Sequence, residues 1–348
     1  MELRNPFSAR RSIRSFACEL SGRCGVDPRY LEKDIIKAKR LNHISLGEYE
    51  WMGYYALSPA QKRSMSTLWT RAELRKKYTK RLYKGVLMDK YVFSKVFAQY
   101  YGRRCVLSQE ITRDELDGLA GEAGKVVYKP ISKGSGTGVR IIKAATAQER
   151  DEAFSKLGAL PRGIVEEWIQ QHEVLNTLNP GAVSIVRFYS VCTPAGCYLF
   201  APVLTTAITR SIANGCQDAL TAIADIRTGL VITDAVDQNK LTECKTHPVT
   251  GTPFKGLQLP YWDETIDMMK KVVPQAWYIS NIGWDVAITD HGPVLVEANT
   301  IPGFNTAQYR GFAGVTNGWG YQPIFDEAMK GIPFTGMENY EKVLIKLA

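Results

Sequence analysis

The chain has 348 residues, of which 45% are hydrophobic and 23% charged, a composition typical of a globular protein with two or three domains. It contains no apolar run of about 18 residues, which argues against an integral membrane protein, and its basic start lacks a signal-peptide core, which predicts a cytoplasmic location. The seven cysteines include no CxxC pair, so we expect reduced thiols rather than a zinc site or a disulfide framework.

The basic charge is concentrated at the start of the chain. Residues 1–104 hold 23 of the 44 Lys and Arg but only 9 of the 35 Asp and Glu. This asymmetry predicts an acidic partner for the first third, such as an acidic or carrier-bound substrate or a membrane surface. A solvated helix surface is an equally good interpretation. No specific nucleic-acid partner is expected.

Residues 28–84 are predicted to be helical and to form most of a first domain, residues 1–85. Ser58 can cap a helix whose first residue is Pro59. Between residues 71 and 85, Leu74, Tyr78 and Leu82 recur at a spacing of four residues. This spacing predicts one helix with a narrow apolar line and a broad basic surface.

A different pattern begins after residue 85, and a second domain is predicted over residues 86–168. A helix over residues 88–101 ends at Gly102, and a short strand, Cys105–Leu107, follows. A helix over residues 113–119 precedes the strand KVVYKP, a glycine-rich turn and the strand VRIIKA, which together predict a hairpin. A helix over residues 147–157 and the strand GIVEEWI complete this domain.

The remaining residues, 169–348, are predicted to form a strand-rich third domain. The predicted strands are VSIVRFYSVC, CYLFAPVLTTA and LVITDAV, followed by the helix WDETIDMMKKVV and the hairpin WDVAITDHGPVLVEAN. The tail over residues 320–348 is predicted to be helical. The sequence therefore predicts an α+β architecture in which a helical domain precedes two antiparallel-sheet subdomains.

The last hairpin contains the most informative polar residues. A three-residue turn at residues 290–292 places Asp285 opposite Glu297, and Asn299 shares their face. Opposed carboxylates with no Lys or Arg between them need a cation, and oxygen ligands favour Mg²⁺. The alternative is a pair of unrelated surface acids. The other face is predicted to pack on a core through Val286, Ile288, Val294, Val296 and Ala298.

The glycine-rich turn is the second candidate site. Backbone N–H groups in such a turn form an anion-binding concavity, and Lys129, on the strand before it, adds positive charge. The turn does not match the P-loop, which ends in GKS or GKT, so an ordinary hairpin turn is the alternative. The turn residues are Lys133, Gly134, Ser135, Gly136, Thr137 and Gly138.

Together, these motifs resemble the ATP-grasp family over residues 86–305. The resemblance implies an ATP-grasp fold, in which two antiparallel-sheet subdomains clamp ATP, here with an N-terminal helical domain. Besides the glycine-rich turn, the ATP-binding residues that it implies are Lys90, Lys129, the hinge residues Glu166, Glu167, Trp168 and Ile169, and Glu173 for the ribose. The metal ligands that it implies are Asp285, Glu297 and Asn299, holding Mg²⁺ or Mn²⁺.

Two segments, KTHPVTGTPFKGLQLPYWDE and IGWDVAITDHGPVLVEAN, are most similar to the sugar-transfer-associated ATP-grasp group, whose members occur among polysaccharide-assembly proteins. The helical N-terminal domain departs from the α/β domain of amino-acid ligases. Gly283 also stands where dipeptide-forming relatives carry an arginine, and Arg310 is the candidate replacement. The catalytic residues that the resemblance implies are Arg187, which contacts the transferred phosphate, Lys133 and Arg310.

The resemblance implies an ATP-dependent ligase acting in polysaccharide or secondary-metabolite assembly. Such an enzyme joins a carboxylate substrate to an amine or another nucleophile through an acyl phosphate, and it releases ADP and phosphate. Two alternatives stay open. One is a phosphotransferase on the same fold, and the other is an ATP-binding module without turnover.

Overall fold

The computed structural model describes residues 12–131, 137–209, 218–304, 306–334 and 336–347. It contains an antiparallel sheet of four strands, a second sheet of eight strands, and helices before and around them. The predicted α+β architecture is confirmed. Residues 133–136 of the glycine-rich turn lie outside the described residues. No helix in the described ranges is both long and apolar enough to cross a membrane.

The N-terminal helices are short and begin at polar capping residues. Asp27 accepts hydrogen bonds from the amides that follow Pro28, and Ser58 accepts one from the amide of Gln61, so both helices begin at the predicted prolines. The helices are α1 (Ile13–Cys24), α2 (Pro28–Asn42), α3 (Leu46–Trp51), α4 (Pro59–Ser64) and α5 (Leu68–Tyr78). Residues of α1, α2 and α3 enclose an apolar core of their own, whereas Leu74 of α5 belongs to an apolar core of the eight-stranded sheet.

The predicted single helix over residues 71–85 is wrong. α5 stops before residue 79, and the amide of Lys80 donates to the carbonyl of Tyr278 at 2.9 Å instead of continuing the helix. Leu74 is fully buried, but Leu82 lies on a short 3-10 turn with 87% of its surface exposed, so no continuous apolar line exists. Arg71 is also fully buried and does not belong to a basic surface.

The predicted helix over residues 88–101 is divided. Asp89 accepts hydrogen bonds from two amides of the next turn and so starts a new helix, and a further break occurs at Phe97. Gly102 ends the run with a φ of 64°, as the sequence predicts. Leu87 and Phe93 pack into the core of the larger sheet. The helices are α6 (Lys84–Met88), α7 (Lys90–Val96) and α8 (Ala98–Tyr101).

The smaller sheet carries the glycine-rich turn, and the sequence predicts each of its elements. Its strands are β1 (Cys105–Leu107), β2 (Lys125–Pro130), β3 (Arg140–Lys143) and β4 (Gly163–Glu167), antiparallel in the order β1-β4-β2-β3. Helices α9 (Arg113–Ala120) and α10 (Ala147–Gly158) cover one face of the sheet. Because side chains alternate along a strand, Val126 and Tyr128 enter this core, whereas Val127 and Lys129 point to the other face.

The larger sheet carries the acidic hairpin. Its strands are β5 (Ile185–Thr193), β6 (Gly196–Ala207), β7 (Ala219–Ile223), β8 (Ala235–Asp237), β9 (Thr242–Cys244), β10 (Asn281–Thr289), β11 (Gly292–Asn299) and β12 (Leu344–Lys346). The order is β11-β10-β5-β6-β7-β8-β9, and β12 pairs with β6. One apolar core lies between this sheet and α12 (Trp262–Gln275), and a second includes residues of α13 (Gln322–Lys330). A short helix, α11 (Glu173–Asn176), lies between β4 and β5.

Several predictions for this half are wrong in detail. The sequence analysis did not identify β7, and the predicted strand over residues 230–236 is reduced to β8, because residues 230 and 231 form only isolated bridges. The tail is not wholly helical, since β12 extends it along β6. Cys192 and Cys197 pair across β5 and β6 and form a disulfide, where the sequence predicts reduced thiols.

Candidate active site

Strands β10 and β11 place two acidic residues opposite each other. Asp285 pairs with Glu297, as the sequence predicts, and Asn299 shares the face of Glu297. The turn is one residue shorter than predicted, because Thr289 pairs with Gly292. A β-bulge beside Asp285 then adds one unpaired residue to β11. The two deviations cancel, so the acidic pair keeps its predicted register.

The bulge changes which residues of β11 face the core. The predicted core residues of β10 are confirmed, but on β11 the core residues are Leu295 and Ala298. Val294 and Val296 are only half-buried, and Val296 lines a cleft. The prediction for Val294 and Val296 is wrong, because an extra residue in one strand shifts the alternation of its side chains.

Arg187 on β5 lies directly opposite Asp285. Its Nε and Nη2 atoms donate to Oδ1 and Oδ2 of Asp285, each at 2.6 Å, in a two-point salt bridge. Burial alone would lower the pKa of the Arg187 guanidinium, but the carboxylate of Asp285 raises it. The premise that no Lys or Arg accompanies the acidic pair is therefore wrong. Arg187, Asp285 and Glu297 form a row across three adjacent strands.

Glu297 has less of its negative charge offset by direct contacts than Asp285, the other carboxylate of this row. It has no hydrogen bond or salt bridge within the described part of the chain. Burial raises the pKa of Glu297, and Asp285 raises it further, whereas Lys90, Lys129 and Arg187 act in the opposite direction. Added positive charge at this position would therefore favour the ionised form of Glu297.

Lys90 is the first residue of α7 and reaches the same region. Burial lowers the pKa of its ammonium group, and Lys129 lowers it further, whereas the carboxylates of Glu297 and Glu166 raise it. The two lysines therefore lie close enough to interact, although they come from different elements. An anion placed between them would relieve their mutual repulsion.

Glu166 is the centre of a buried ionic network on β4. Only 1% of its surface is exposed, and it accepts hydrogen bonds from Lys129 Nζ at 2.5 Å, Arg103 Nη2 at 3.1 Å and the Tyr101 hydroxyl. Burial by itself raises the pKa of this carboxyl, but Arg103 and Lys129 outweigh burial and lower the pKa to about 2. Glu166 therefore stays ionised and holds Lys129 in place.

Arg103 connects the two sheets. Besides its contact with Glu166 on β4, it donates to the carbonyl of Leu295 on β11 at 2.8 Å. The sequence analysis singled out neither Arg103 nor its neighbour Tyr101. These contacts span 63 and 192 residues, and no local pattern around Arg103 marks them.

Five of these polar residues line one cleft between the two sheets. The cleft contains about 840 Å³ of space, including its mouth, which is open to solvent. Its polar lining consists of Lys90, Lys129, Glu166, Asp285 and Glu297, and its apolar lining includes Val127, Ile141, Trp168, Ile169, Ile185 and Val296. The sequence analysis named the polar residues but missed most apolar ones, although the alternation along β2 could have identified Val127.

Several predicted residues do not line this cleft, among them Arg187, Asn299, Glu167, Glu173 and Arg310. The carboxylate of Glu167 accepts hydrogen bonds from the backbone and side chain of Arg104. Glu173 begins α11 and has no hydrogen bond from its side chain among the described contacts. Arg310 donates to the hydroxyl of Tyr55 at 2.7 Å, beside the N-terminal helices.

The remaining predicted residues are at the hairpin end and in the glycine-rich turn. Asn299 Oδ1 accepts a hydrogen bond from the amide of Ile301 at 2.9 Å. Thr137 and Gly138 are exposed, and Gly138 has a φ of 80°, a conformation that favours glycine. The residues of the turn outside the described part of the chain are Lys133, Gly134, Ser135 and Gly136.

The hairpin offers oxygen ligands that fit a divalent cation. The carboxylates of Asp285 and Glu297 and the amide of Asn299 lie on one face. A carboxylate has about four acceptor positions, and Arg187 uses two of those on Asp285, so two remain for a metal. The described residues contain no group of three His, Cys, Asp or Glu that could hold a metal ion, so Asn299 would complete the protein ligands. This all-oxygen set suits Mg²⁺ or Mn²⁺.

Three solved structures of other proteins are similar to part of this chain. An N5-carboxyaminoimidazole ribonucleotide synthetase in an ADP complex is 11% identical, with a TM-score of 0.42, over 71% of this chain and 52% of its own. The D-alanine–D-alanine ligase of Bacillus anthracis complexed with ATP is 14% identical, with a TM-score of 0.42, over 80% and 77%. The ATP-grasp ligase PsnB with its minimal precursor is 15% identical, with a TM-score of 0.40, over 73% and 64%.

This chain thus spans 52% and 64% of the synthetase and PsnB chains, less than two thirds of either. Similarity at this level carries no argument about activity. No curated protein matches the chain. Residues 70–318, however, match the family described as sugar-transfer associated ATP-grasp, and this range includes every strand from β1 to β11. Since the match covers well over half of the sequence, the chain belongs to the sugar-transfer associated ATP-grasp family.

Proposed function

We propose that the protein is an ATP-dependent ligase that activates a carboxylate substrate as an acyl phosphate. The observation that carries this proposal is the convergence of Lys90, Lys129, Asp285 and Glu297 on one cleft with an apolar wall. Arg187 is bonded to Asp285 at the edge of this group. Two lysines suit the phosphates, and the apolar wall suits a base. The acidic row suits a cation that accompanies a nucleotide.

The proposed roles follow the positions of the side chains. Lys90 and Lys129 bind phosphate oxygens, and Trp168 and Ile169 contact the adenine. When bound by Asp285, Glu297 and Asn299, Mg²⁺ or Mn²⁺ would neutralise phosphate charge. The guanidinium of Arg187, oriented by both oxygens of Asp285, stabilises the phosphoryl group during transfer. The glycine-rich turn, residues 133–138, is proposed as a further phosphate contact.

The reaction proceeds in two steps in this proposal. A carboxylate oxygen of the substrate attacks the γ-phosphorus of ATP, the bond to the β,γ-bridging oxygen breaks, and ADP leaves. The nucleophile then attacks the acyl carbon and displaces phosphate, and an amine loses its proton to give an amide. The protein contributes positioning and charge neutralisation. We assign this chemistry to the two domains at residues 86–168 and 169–348, which follow a helical domain at residues 1–85 in the chain.

The test is a screen of carboxylates and nucleophiles that measures ADP and phosphate. We expect phosphate release to require both cosubstrates, and Glu297→Gln to abolish it, while the surface control Glu264→Gln keeps it. Phosphorylated product without a second cosubstrate would replace the proposal with a phosphotransferase. Tight ATP binding with no ADP formed in any pairing would replace it with a non-catalytic module.

A further inference from the structure

Residues 75–88 and Trp277 form a surface, here called the basic apolar surface, that has no role in the cleft chemistry. Residues 75–88 contain no Asp or Glu. None of their basic side chains forms a salt bridge with a carboxylate in the described part of the chain. The basic residues are Arg75, Lys76, Lys77, Lys80, Arg81 and Lys84.

Large apolar side chains of residues 75–88 and Trp277 are exposed. Leu82 is 87% exposed, Met88 is 50% exposed and Trp277 is 56% exposed. Lys80 Nζ lies 4.0 Å from the centre of the Trp277 ring, so charged and apolar groups are direct neighbours. Tyr83, which is 43% exposed, packs with its ring 5.0 Å from that of Tyr278, next to Trp277 in the chain.

Hydrogen bonds of the two residues before Arg81 fix the exposed position of Leu82. The Lys80 amide donates to the Tyr278 carbonyl at 2.9 Å, and the hydroxyls of Thr79 and Ser280 are 2.9 Å apart. These contacts hold the 3-10 turn Arg81–Tyr83 against the segment between α12 and β10, and Leu82 is directed away from the core. An exposed leucine that is anchored in this way is available to a partner without any unfolding.

We propose that the basic apolar surface docks on an anionic phospholipid bilayer. In this proposal the Lys and Arg side chains, which have no carboxylate partner among the described residues, match anionic headgroups. Leu82 and Met88 reach into the acyl region, and Trp277 lies at the headgroup level, where tryptophan is enriched. The strength of such binding rises with the apolar area that is buried and with the electrostatic attraction to anionic lipids. The proposal is independent of the proposed ligase activity, since none of these residues lines the cleft.

Nucleic acid is the main competing partner for a basic surface with aromatic residues. Single strands bind through aromatic faces on which bases stack. Here Lys80 already lies over the Trp277 ring, and the most exposed apolar side chain is the aliphatic Leu82. A lipid surface uses both features, whereas a nucleic acid would leave Leu82 in water.

The experiment measures flotation of the full-length protein with vesicles of phosphatidylcholine, with and without phosphatidylglycerol. We expect binding only to the anionic vesicles, and weaker binding as salt rises. The charge variant replaces Lys76, Lys77, Lys80 and Arg81 by Gln. Because each charge near the surface strengthens vesicle binding about fivefold, the charge variant should bind the anionic vesicles well over tenfold more weakly. The matched control, with the same change in net charge on other exposed surfaces, replaces Lys156, Lys245, Lys255 and Lys342 by Gln.

Leu82→Ser tests the apolar contribution separately, because a residue so exposed cannot disturb the core. We expect about a tenfold loss of vesicle binding that persists at high salt. Equal vesicle binding by the charge variant and the matched control would overturn the proposal. Binding to single-stranded DNA is measured for the same variants. If the charge variant lost DNA binding but kept vesicle binding, the surface would be a nucleic-acid surface instead. Self-association that depends on Leu82, without vesicle binding, would identify an interface between copies.

Discussion

Replacing Glu166 by Gln removes the carboxylate that pairs with Lys129 and Arg103 and keeps the size of the side chain. A pKa lowered from 4.5 to about 2 corresponds to about 3 kcal/mol of stabilisation at neutral pH. The variant also leaves two buried cations without their counter-charge, and breaking a buried pair in this way costs about 3–5 kcal/mol. We therefore expect Glu166→Gln to lower the free energy of opening of the smaller sheet by about 3 kcal/mol.

The assay is hydrogen exchange of the β2 and β4 amides, which reports local opening without requiring the whole chain to unfold at once. A loss of about 3 kcal/mol makes these amides exchange on the order of a hundredfold faster. The matched control is Glu167→Gln, the same substitution one residue along. Its partner Arg104 is 63% exposed, so we expect a change below about 1 kcal/mol.

The difference should depend on pH in one direction. Because the folded-state pKa of Glu166 is lowered, its contribution is complete above about pH 4.5 and declines as the pH falls toward about 2. The gap between wild type and Glu166→Gln should therefore narrow through this window. Equal exchange in the Glu166 and Glu167 variants, or a gap that does not narrow on acidification, would refute the ionic network as a source of stability.

The other predictions concern the acidic row and the packing of β4. We expect ATP to raise the melting temperature of the wild type only when Mg²⁺ is present, and the double variant Asp285→Asn, Glu297→Gln to lose this rise. A rise equal to that of the wild type would remove the metal assignment. Arg187→Lys keeps the charge but loses the two-point contact, so we expect kcat to fall at least about tenfold with little change in ATP affinity; an unchanged kcat would argue against contact with the transferred phosphoryl group. Gly163→Ala would place a Cβ 2.6 Å from the Lys129 carbonyl, which should cost about 1–3 kcal/mol, and an unchanged melting temperature would show that β4 can shift without cost.

The acidic pair could be predicted from the sequence, but the path of the hairpin could not. Residues 294–296 are all apolar, so their pattern contains no sign of which residue is extra, and the bulge stays invisible until the strands are paired. Asp285 and Glu297 nevertheless face each other because the short turn and the bulge change the register in opposite senses. The predicted pairing of Asp285 with Glu297 is therefore correct because the short turn and the bulge offset each other, although the predicted turn is wrong.

The charges around the acidic pair could not be predicted, because they depend on strand order. Arg187 lies 98 residues before Asp285 and becomes its neighbour only because β5 and β10 are adjacent in the sheet. The helix predicted over residues 71–85 is wrong for a related reason. Its local spacing was helical, but a backbone contact from Lys80 to the distant Tyr278 ends it.

The position of Arg103 has a consequence for how the cleft can open. Its buried guanidinium donates to Glu166 on β4 of one sheet and to the Leu295 carbonyl on β11 of the other, so pulling the sheets apart at that point would break one of these two buried contacts. The lower-cost motion is a rotation of one sheet about Arg103 as an axis. In such a rotation Glu166 moves least, whereas β3, two strands further out at about 4.8 Å per strand, sweeps the longest arc. A nucleotide could then enter and leave past β3 while the lysine that Glu166 holds keeps its place.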